Sequence, residues 1–530
     1  MSTVASGLLL LVCLLRIGRR PANLPPGPPT LPILGNIHLM PSRDAHKQFQ
    51  KWAQEYGPVY SLILGTKVMI VLSSDVAVKD LLDKRGVIYS GRPEAYVAQD
   101  LCSGGLRFLM VPYGDTWRMM RKMAHGLLNI SVAKSYVVYQ MLENKQMLHD
   151  MLHKPDNFLE HIRRYSNSLT TSMTYGWRSP TYEDPQVKQL FHGFEEFAEM
   201  AQTPLAALID FYPPLRYLPL PILRRAREMH KREKKLYLGH WETVKKDLKA
   251  GTARPCFCTD MAAVQKDYGL SDDLAAYISG SFLEAGSDTT SSTLYGFMQA
   301  MLLFPEAQKK AQAELDRVVG TDRLPTMEDE PRLQYIRGCV KESLRWMPTT
   351  VLGAAPHAAT KDDEYMGYLI PEGAAVMNNV YTINMDPKRF PNPRVFDPDR
   401  YQNDLLSSFD AAVSPDVSKR DHFTFGAGRH LCQGMHLAER SLFLGMSRIL
   451  WAFDVLPALD SNQKEIIPDP ERLTQGFVCM PEPFSARIVP RSKERAMMVE
   501  REWAEAKELL DPVTEQWKNV PEGMKFGSLD

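Results

Sequence analysis

Cys432 is the side chain of this sequence whose surroundings are best suited to chemistry. It lies in Phe423-Thr424-Phe425-Gly426-Ala427-Gly428-Arg429-His430-Leu431-Cys432-Gln433-Gly434, directly before an apolar stretch, 435–444, that reads as a helix. A thiol at a helix N-terminus meets unpaired backbone N–H groups and the positive end of the helix dipole, and both stabilise a thiolate. The glycines let the loop turn tightly and bring backbone close to the sulfur. A lone cysteine is ordinarily an inert, buried small hydrophobe; this setting argues for more. A second stretch also breaks local rules. Ser271-Asp272-Asp273 is a strong helix start, and Leu274, Ile278, Phe282, Ala285 and Thr289 then recur on one helical face. Inside that pattern sits Ala285-Gly286-Ser287-Asp288-Thr289-Thr290. A mid-helix glycine costs about 1 kcal/mol relative to alanine, and Asp and Thr also disfavour helix interiors. Local failures of this kind point to function. Glu342 and Arg345 have the i,i+3 spacing of a helical ion pair, which on a solvated surface contributes little. Val340, Leu344 and Met347 predict a buried neighbourhood instead, where both ions need partners. Trp117 and Arg121 share a face of a helix for which Asp115 is the expected cap.

The elements that must position these groups are mainly helical. Val59–Leu64 and 68–72 predict paired strands around Gly65-Thr66-Lys67, and the chain from about residue 115 to 319 is mostly helical. A break at 208–221, apolar and rich in proline, reads as a connector between helices that either packs on the core or, the favoured expectation, dips into a membrane surface. Residues 4–15 are almost wholly apolar and are followed by Arg16, Arg19 and Arg20. The run is short for a bilayer span; a cleaved signal peptide lacks its basic start and cleavage site, and a signal anchor fits best. Leu24-Pro25-Pro26-Gly27-Pro28-Pro29 predicts a stiff connector. The expected organisation is therefore an anchor (1–20), a Pro-rich hinge (21–36), one large mixed domain, mainly α with a smaller β part (37–493), and a charged surface tail (494–530). Formal net charge is zero, which gives no reason to expect nucleic acid as a partner. Seven scattered cysteines make a disulfide framework unexpected, and Cys256-Phe257-Cys258 is too tight for a usual zinc pair and reads as a loop detail.

Phe425, Gly428, Cys432 and Gly434 match Phe-x-x-Gly-x-x-x-Cys-x-Gly, which resembles the haem-binding loop of the cytochrome P450 monooxygenases. Ala285-Gly286-Ser287-Asp288-Thr289 resembles that family's oxygen-binding groove, where the helix bulges. Glu342-x-x-Arg345 and Phe396-Asp397-Pro398-Asp399-Arg400-Tyr401 resemble its two conserved-role segments behind the haem, with Asp399 for Glu and Tyr401 for Phe. The resemblance implies the cytochrome P450 fold, a haem b whose iron takes the thiolate of Cys432, and insertion of one oxygen atom from dioxygen into a lipophilic small molecule. It implies a hydrogen-bonding role for Thr289 and a proton relay through Asp288. It implies a triad of Glu342, Arg345 and Arg400, and haem contacts from Trp117, Arg121, His357, Ala285, Phe425, Arg429, His430 and Gly434, with His430 donating where relatives carry Arg. Electrons would come from NADPH through cytochrome P450 reductase, with cytochrome b5 as a further donor, because no nicotinamide-binding Gly-x-Gly-x-x-Gly stands between strand and helix. The chain is most similar to microsomal members from filamentous fungi serving secondary metabolism, which implies an endoplasmic reticulum anchor with a cytosolic body. Pocket candidates are Tyr96, Leu106, Phe108, Val351, Leu352, Gln475, Phe477 and Val478. A haem-thiolate isomerase or dehydratase and a non-enzymatic haem sensor are the rival readings; the intact Asp288–Thr289 pair argues against both.

Overall fold

The computed structural model describes residues 15–522 and residue 524. A single long helix, Asp272–Leu303, runs through the middle of the body. It starts as expected: the Ser271 hydroxyl accepts from the Leu274 N–H at 3.1 Å. Most of its residues are buried whatever their polarity, including Ser279, Ser287, Thr290, Ser291 and Gln299. Helices Phe158–Tyr175, Pro221–Ala250 and Met435–Ala452 pack around it. Close approach needs missing side chains. A Cβ on Gly286 would lie 2.5 Å from Thr170 Oγ1, and one on Gly280 would lie 2.5 Å from the Tyr237 ring.

The expected hairpin forms: β1 (Val59–Leu64) pairs antiparallel with β2 (Lys67–Leu72), and Gly65 turns the corner at φ +60°. Strand β3 (His357–Ala358), the separate hairpin β4–β5 (Asp363–Tyr365, Tyr368–Ile370) and β6 (Ala375–Asn378) follow late in the chain. β6 joins β2 in parallel, giving the order β1-β2-β6-β3. An isolated bridge from Gly91 to Ala358 ties the segment carrying Arg92 to β3. A second small sheet is built from β7 (Phe453–Leu459), β8 (Glu465–Ile466) and β9 (Ala486–Pro490).

Four local expectations are corrected. Asp115 does not cap its helix: Gly114 holds that position with no side-chain cap bond, and Asp115 is paired with Arg118 three residues on. Cys256 is no loop detail; it opens the helix Phe257–Val264, its N–H donating to Thr259 Oγ1 at 2.9 Å. The Pro-rich segment expected as a hinge is bonded to the body. The Ser61 N–H donates to Pro26 O at 2.8 Å, Asn36 Nδ2 donates to the Pro28 and Pro29 carbonyls at 3.0 Å, and Arg20 reaches Gly27 O at 2.9 Å. Proline cannot donate to a ladder, but its carbonyls can still accept. The C-terminal tail is more than a charged surface segment. Lys493–Lys507 is a helix on the helix Val137–His153, burying Met498, Val499 and Trp503, and Trp517 is buried against Tyr139 with ring centroids 5.3 Å apart.

The segment 208–221 is a helix end (Pro204–Phe211) and a 3-10 turn (Pro213–Tyr217) rather than an irregular connector. It leaves Tyr217 and Leu218 exposed and touches the N-terminal segment, the Tyr212 hydroxyl donating to Ile33 O at 2.7 Å. Leu31, Ile33 and Leu34 are exposed there as well. No helix among the described residues is long and apolar enough to cross a membrane. The proposed anchor, apart from its last few residues, lies outside the described residues.

Candidate active site

The loop before Cys432 folds back on itself, with the Cys432 N–H donating to Phe425 O at 2.9 Å. Gly428 adopts φ +61°, and a Cβ there would lie 2.2 Å from Leu82 O, so glycine is required on both counts. Cys432 is accessible, whereas the other free cysteines described, Cys102, Cys256, Cys258, Cys339 and Cys479, are buried. Protein nevertheless surrounds its sulfur closely enough that desolvation dominates the thiol and holds its pKa above the ordinary value; the Gly434 N–H and the charge of Arg121 pull the other way. The helix N-terminus does not by itself produce a thiolate, because a partial dipole charge is worth less than the solvation lost by a buried anion.

Behind the loop, Glu342 and Arg345 are wholly buried and paired twice, Nε to Oε2 at 2.7 Å and Nη2 to Oε1 at 2.6 Å. Arg400 completes the expected set through Nε at 3.3 Å from Glu342 Oε1. The departure at Tyr401 has a use: its hydroxyl donates to Glu342 Oε2 at 3.2 Å, a bond that phenylalanine could not make. Asp399, the other departure, pairs with Lys310 at 2.8 Å. Asn384 carries the arrangement to the cysteine loop. Its amide donates to Arg345 O at 3.3 Å and its carbonyl accepts from the Phe423 N–H at 3.1 Å. The Thr424 hydroxyl adds a bond to Leu344 O at 2.6 Å.

A cationic group gathers beside the same loop. Arg121 lies with its guanidinium 5.6 Å from the Trp117 ring centroid and donates to Leu431 O. His430 lies 5.2 Å from Trp117 and 5.0 Å from His357, ring to ring. Both histidines are held neutral by burial, His357 down to about 3 and His430 down to about 2. Their N–H groups go to backbone carbonyls, His357 Nδ1 to Tyr89 O at 2.8 Å and His430 Nε2 to Ser90 O at 2.9 Å. The remaining nitrogen of each neutral ring is an acceptor, and the donor expected of His430 is the Nε2–H given to Ser90 O. Arg92, which the sequence reading passed over, supplies charge instead. Its Nη1 donates to Ala355 O at 2.7 Å and Pro356 O at 2.8 Å, its Nε is buried without a partner, and burial lowers its pKa only to about 10. Arg92 and Arg121 have no carboxylate partner among the described residues. Arg429 is turned onto the Tyr113 ring at 4.6 Å, and Phe425 packs against His422 at 5.3 Å.

On the central helix Ala285 is exposed midway along an otherwise buried element. No bulge marks the spot: the α-helix is continuous from Asp272 to Leu303. The hydroxyls explain how polar residues are tolerated there. Thr289 donates to Ala285 O at 2.7 Å, Ser291 to Ser287 O at 2.8 Å and Thr293 to Thr289 O at 2.9 Å. Asp288 points elsewhere. Burial lifts its carboxyl up to about 6, against the charge of Arg163 and with Glu195 and Glu284 nearby, and among the described residues it makes no hydrogen bond to Thr289.

The pocket candidates divide. Phe108 lies 6.3 Å from Phe282 and Leu106 packs in the same cluster; Phe477 stacks on Phe197 at 5.6 Å, and Tyr96 joins their cluster under Arg216. Val478 is half-buried. Val351 is buried in the main core with Leu352 beside it. Gln475 is not free to face a ligand, because its amide is spent on Asp44 (2.9 and 3.2 Å) and Leu473 O (2.9 Å). Between Leu106 and Phe108 stands a residue the sequence reading missed. Arg107, buried, is clamped between Glu233 and Glu284 and covers the Phe197 ring at 3.8 Å. An arginine inside the apolar run 106–111 was the available signal.

The family model for cytochrome P450 matches residues 25–488. The chain is 55% identical over 515 residues, covering 96% of this chain and 93% of the relative, to the cytochrome P450 monooxygenase virE of Hypocrea virens. It is 52% identical to fogE of Aspergillus ruber, with 98% of each chain covered, and 48% identical to fsoB of Humicola fuscoatra, covering 99% and 98%; both are named cytochrome P450 monooxygenases. With the match spanning nearly the whole body and close full-length relatives of that name, the chain belongs to the cytochrome P450 monooxygenase family.

Proposed function

We propose that Cys432 is the axial thiolate of a haem b held between its loop and the central helix, and that the chain oxygenates a lipophilic small molecule in fungal secondary metabolism. The observation that carries the reading is the pairing of an accessible cysteine with two half-buried guanidinium groups, Arg92 and Arg121, that have no carboxylate partner among the described residues. Buried charge demands a counter-ion. Haem fits both demands, with an iron that takes a soft anionic ligand and propionates that take the cations. Bound there, haem would supply activation of dioxygen, the thiolate favouring O–O cleavage. The remaining work falls to the chain. Trp117 and the neutral His357 and His430 wall off the edge where Arg92 and Arg121 stand. Thr289 can turn its hydroxyl hydrogen from Ala285 O toward the accessible side of the helix. Asp288, with its carboxyl near neutrality, can take and release a proton at working pH.

Electrons are assigned to an NADPH-dependent reductase, with cytochrome b5 as a further donor. The exposed apolar residues at 31–34 and 217–218, adjoining the N-terminal segment, support seating on an endoplasmic reticulum membrane behind an anchor in residues 1–20. The phenylalanines about Phe282 and Phe197 support an apolar substrate. The test is the ferrous–carbonyl spectrum of the wild type and of Cys432→Ser, followed by reductase-supported turnover. The serine variant should lose the thiolate-type Soret band. A variant that keeps it would assign the ligand to another cysteine.

A further inference from the structure

We propose that His149, His153 and Glu500 form a second metal site, one that takes a divalent transition cation, Zn2+ in the first instance, and clamps the C-terminal helix to the body. The three offer ligand atoms that all lie within 4.8 Å of one another. His149 and His153 are four residues apart on the helix Val137–His153 and therefore share a face, with ring centroids 4.4 Å apart. Glu500 comes from Lys493–Lys507, beyond the end of the family match at residue 488. The site thus joins the tail to the body and shares no ligand with Cys432.

The carboxylate cannot satisfy both rings alone. Glu500 Oε1 lies 2.7 Å from His153 Nε2, a good hydrogen bond, but Oε2 lies 3.5 Å from His149 Nε2, which is too far for one. His149 Nδ1 is buried and has no hydrogen-bond partner, the nearest acid oxygen, on Asp150, being 3.6 Å away. A cation would take one lone pair from each ring and one from the carboxylate. Zinc bonds of about 2.0–2.2 Å set tetrahedral ligand separations near 3.3 Å, so side-chain shifts of about an ångström would close the set. Two imidazoles and one carboxylate suit zinc and disfavour calcium and magnesium, which prefer all-oxygen sites. His153 and Glu500 are accessible enough (53% and 45%) to leave a fourth position to water. The neighbouring cations do not oppose binding, because Lys145 is paired with Glu502 at 2.7 Å and Arg164 faces Asp150 at 3.5 Å. Trp503, with its ring 5.9 Å from that of His149, backs the imidazole.

The test uses the full-length holoenzyme, purified without a histidine tag and stripped with a chelator, titrated calorimetrically with Zn2+. The expected result is one Zn2+ per chain and a rise in thermal midpoint on loading. His153→Ala and Glu500→Gln should each weaken binding on the order of tenfold or more while leaving the ferrous–carbonyl spectrum unchanged. His149 packs near Trp503, so His153, the more exposed ring, is the variant least exposed to misfolding. Co2+ added to the stripped wild type should give tetrahedral visible bands that His153→Ala lacks. Wild type and His153→Ala binding Zn2+ alike, or a wild type that binds none, overturns the site.

Discussion

Replacing Glu342 with alanine should cost about 3 kcal/mol and release haem before the rest of the chain unfolds. The carboxylate is wholly buried and accepts from Arg345 Nη2 (2.6 Å) and Nε (2.7 Å), the Asp397 N–H (2.9 Å), the Tyr401 hydroxyl (3.2 Å) and Arg400 Nε (3.3 Å). Its removal strands the equally buried Arg345. Breaking one partner of a buried pair costs roughly 3–5 kcal/mol. Arg345 keeps three carbonyl acceptors, Pro393 O at 2.8 Å, Asn384 O at 3.0 Å and Val395 O at 3.3 Å, which places the expectation at the lower end. Tyr401→Phe is the internal standard. It removes one long bond from a carboxylate with four other donors, for about 1 kcal/mol. Because Asn384 and Thr424 pass the disturbance directly to the cysteine loop, haem retention should fall earlier than tryptophan fluorescence along a urea titration. The assay follows the Soret band and fluorescence in parallel for the three proteins. If Glu342→Ala tracks Tyr401→Phe in both signals, the buried ion set does not hold the loop and the reasoning fails.

Thr289→Ala should leave haem content and substrate binding unchanged but divert reducing equivalents to hydrogen peroxide, lowering product per NADPH by about 10²-fold or more if the hydroxyl is the proton donor; unchanged coupling would remove that role. Arg107→Met should destabilise by about 3 kcal/mol, because it leaves Glu233 and Glu284 buried as like charges. Burial already lifts Glu233 to about 7, and a carboxyl raised in the folded state loses stability as pH rises from its unfolded value, so the defect measured by urea unfolding should be larger at pH 8 than at pH 5. Asp329→Asn tests the opposite sign. Asp329 is almost wholly buried and is pulled down to about 2 by Arg323, the Thr326 N–H and Arg332, despite its burial. Its contribution, about 2 kcal/mol, is present above the unfolded value near 4 and is lost as pH falls toward 2, so wild type and variant should differ at pH 7 and converge in acid.

The motifs were legible because each is local in sequence. A cysteine before a helix, an Asp-Thr pair within one, and a Glu-x-x-Arg spacing announce themselves through side-chain type and interval, and Ser271, the β1–β2 hairpin and the Glu342–Arg345 pair stand where the sequence puts them. The tail was misread because its charges hid a helical stripe of Met498, Val499, Trp503 and Ala506, which reveals its purpose only against the helix it covers. The bulge expected within 285–289 is absent, and the glycine there meets Thr170 on a neighbouring helix, a residue more than a hundred positions away in the chain. Arg92 could not be told from a surface arginine by its neighbours in sequence, and for Arg107 the apolar run 106–111 hints at burial but not at its partners. One is half-buried beside β3 with no counter-ion among the described residues; the other is enclosed by two acids from distant helices. Sequence determined which groups could carry charge and, as at Ser271, where the central helix would begin. Tertiary structure decided which of those charges are paired, which are neutralised and which are left wanting an anion, because desolvation acts only once the chain has closed around them.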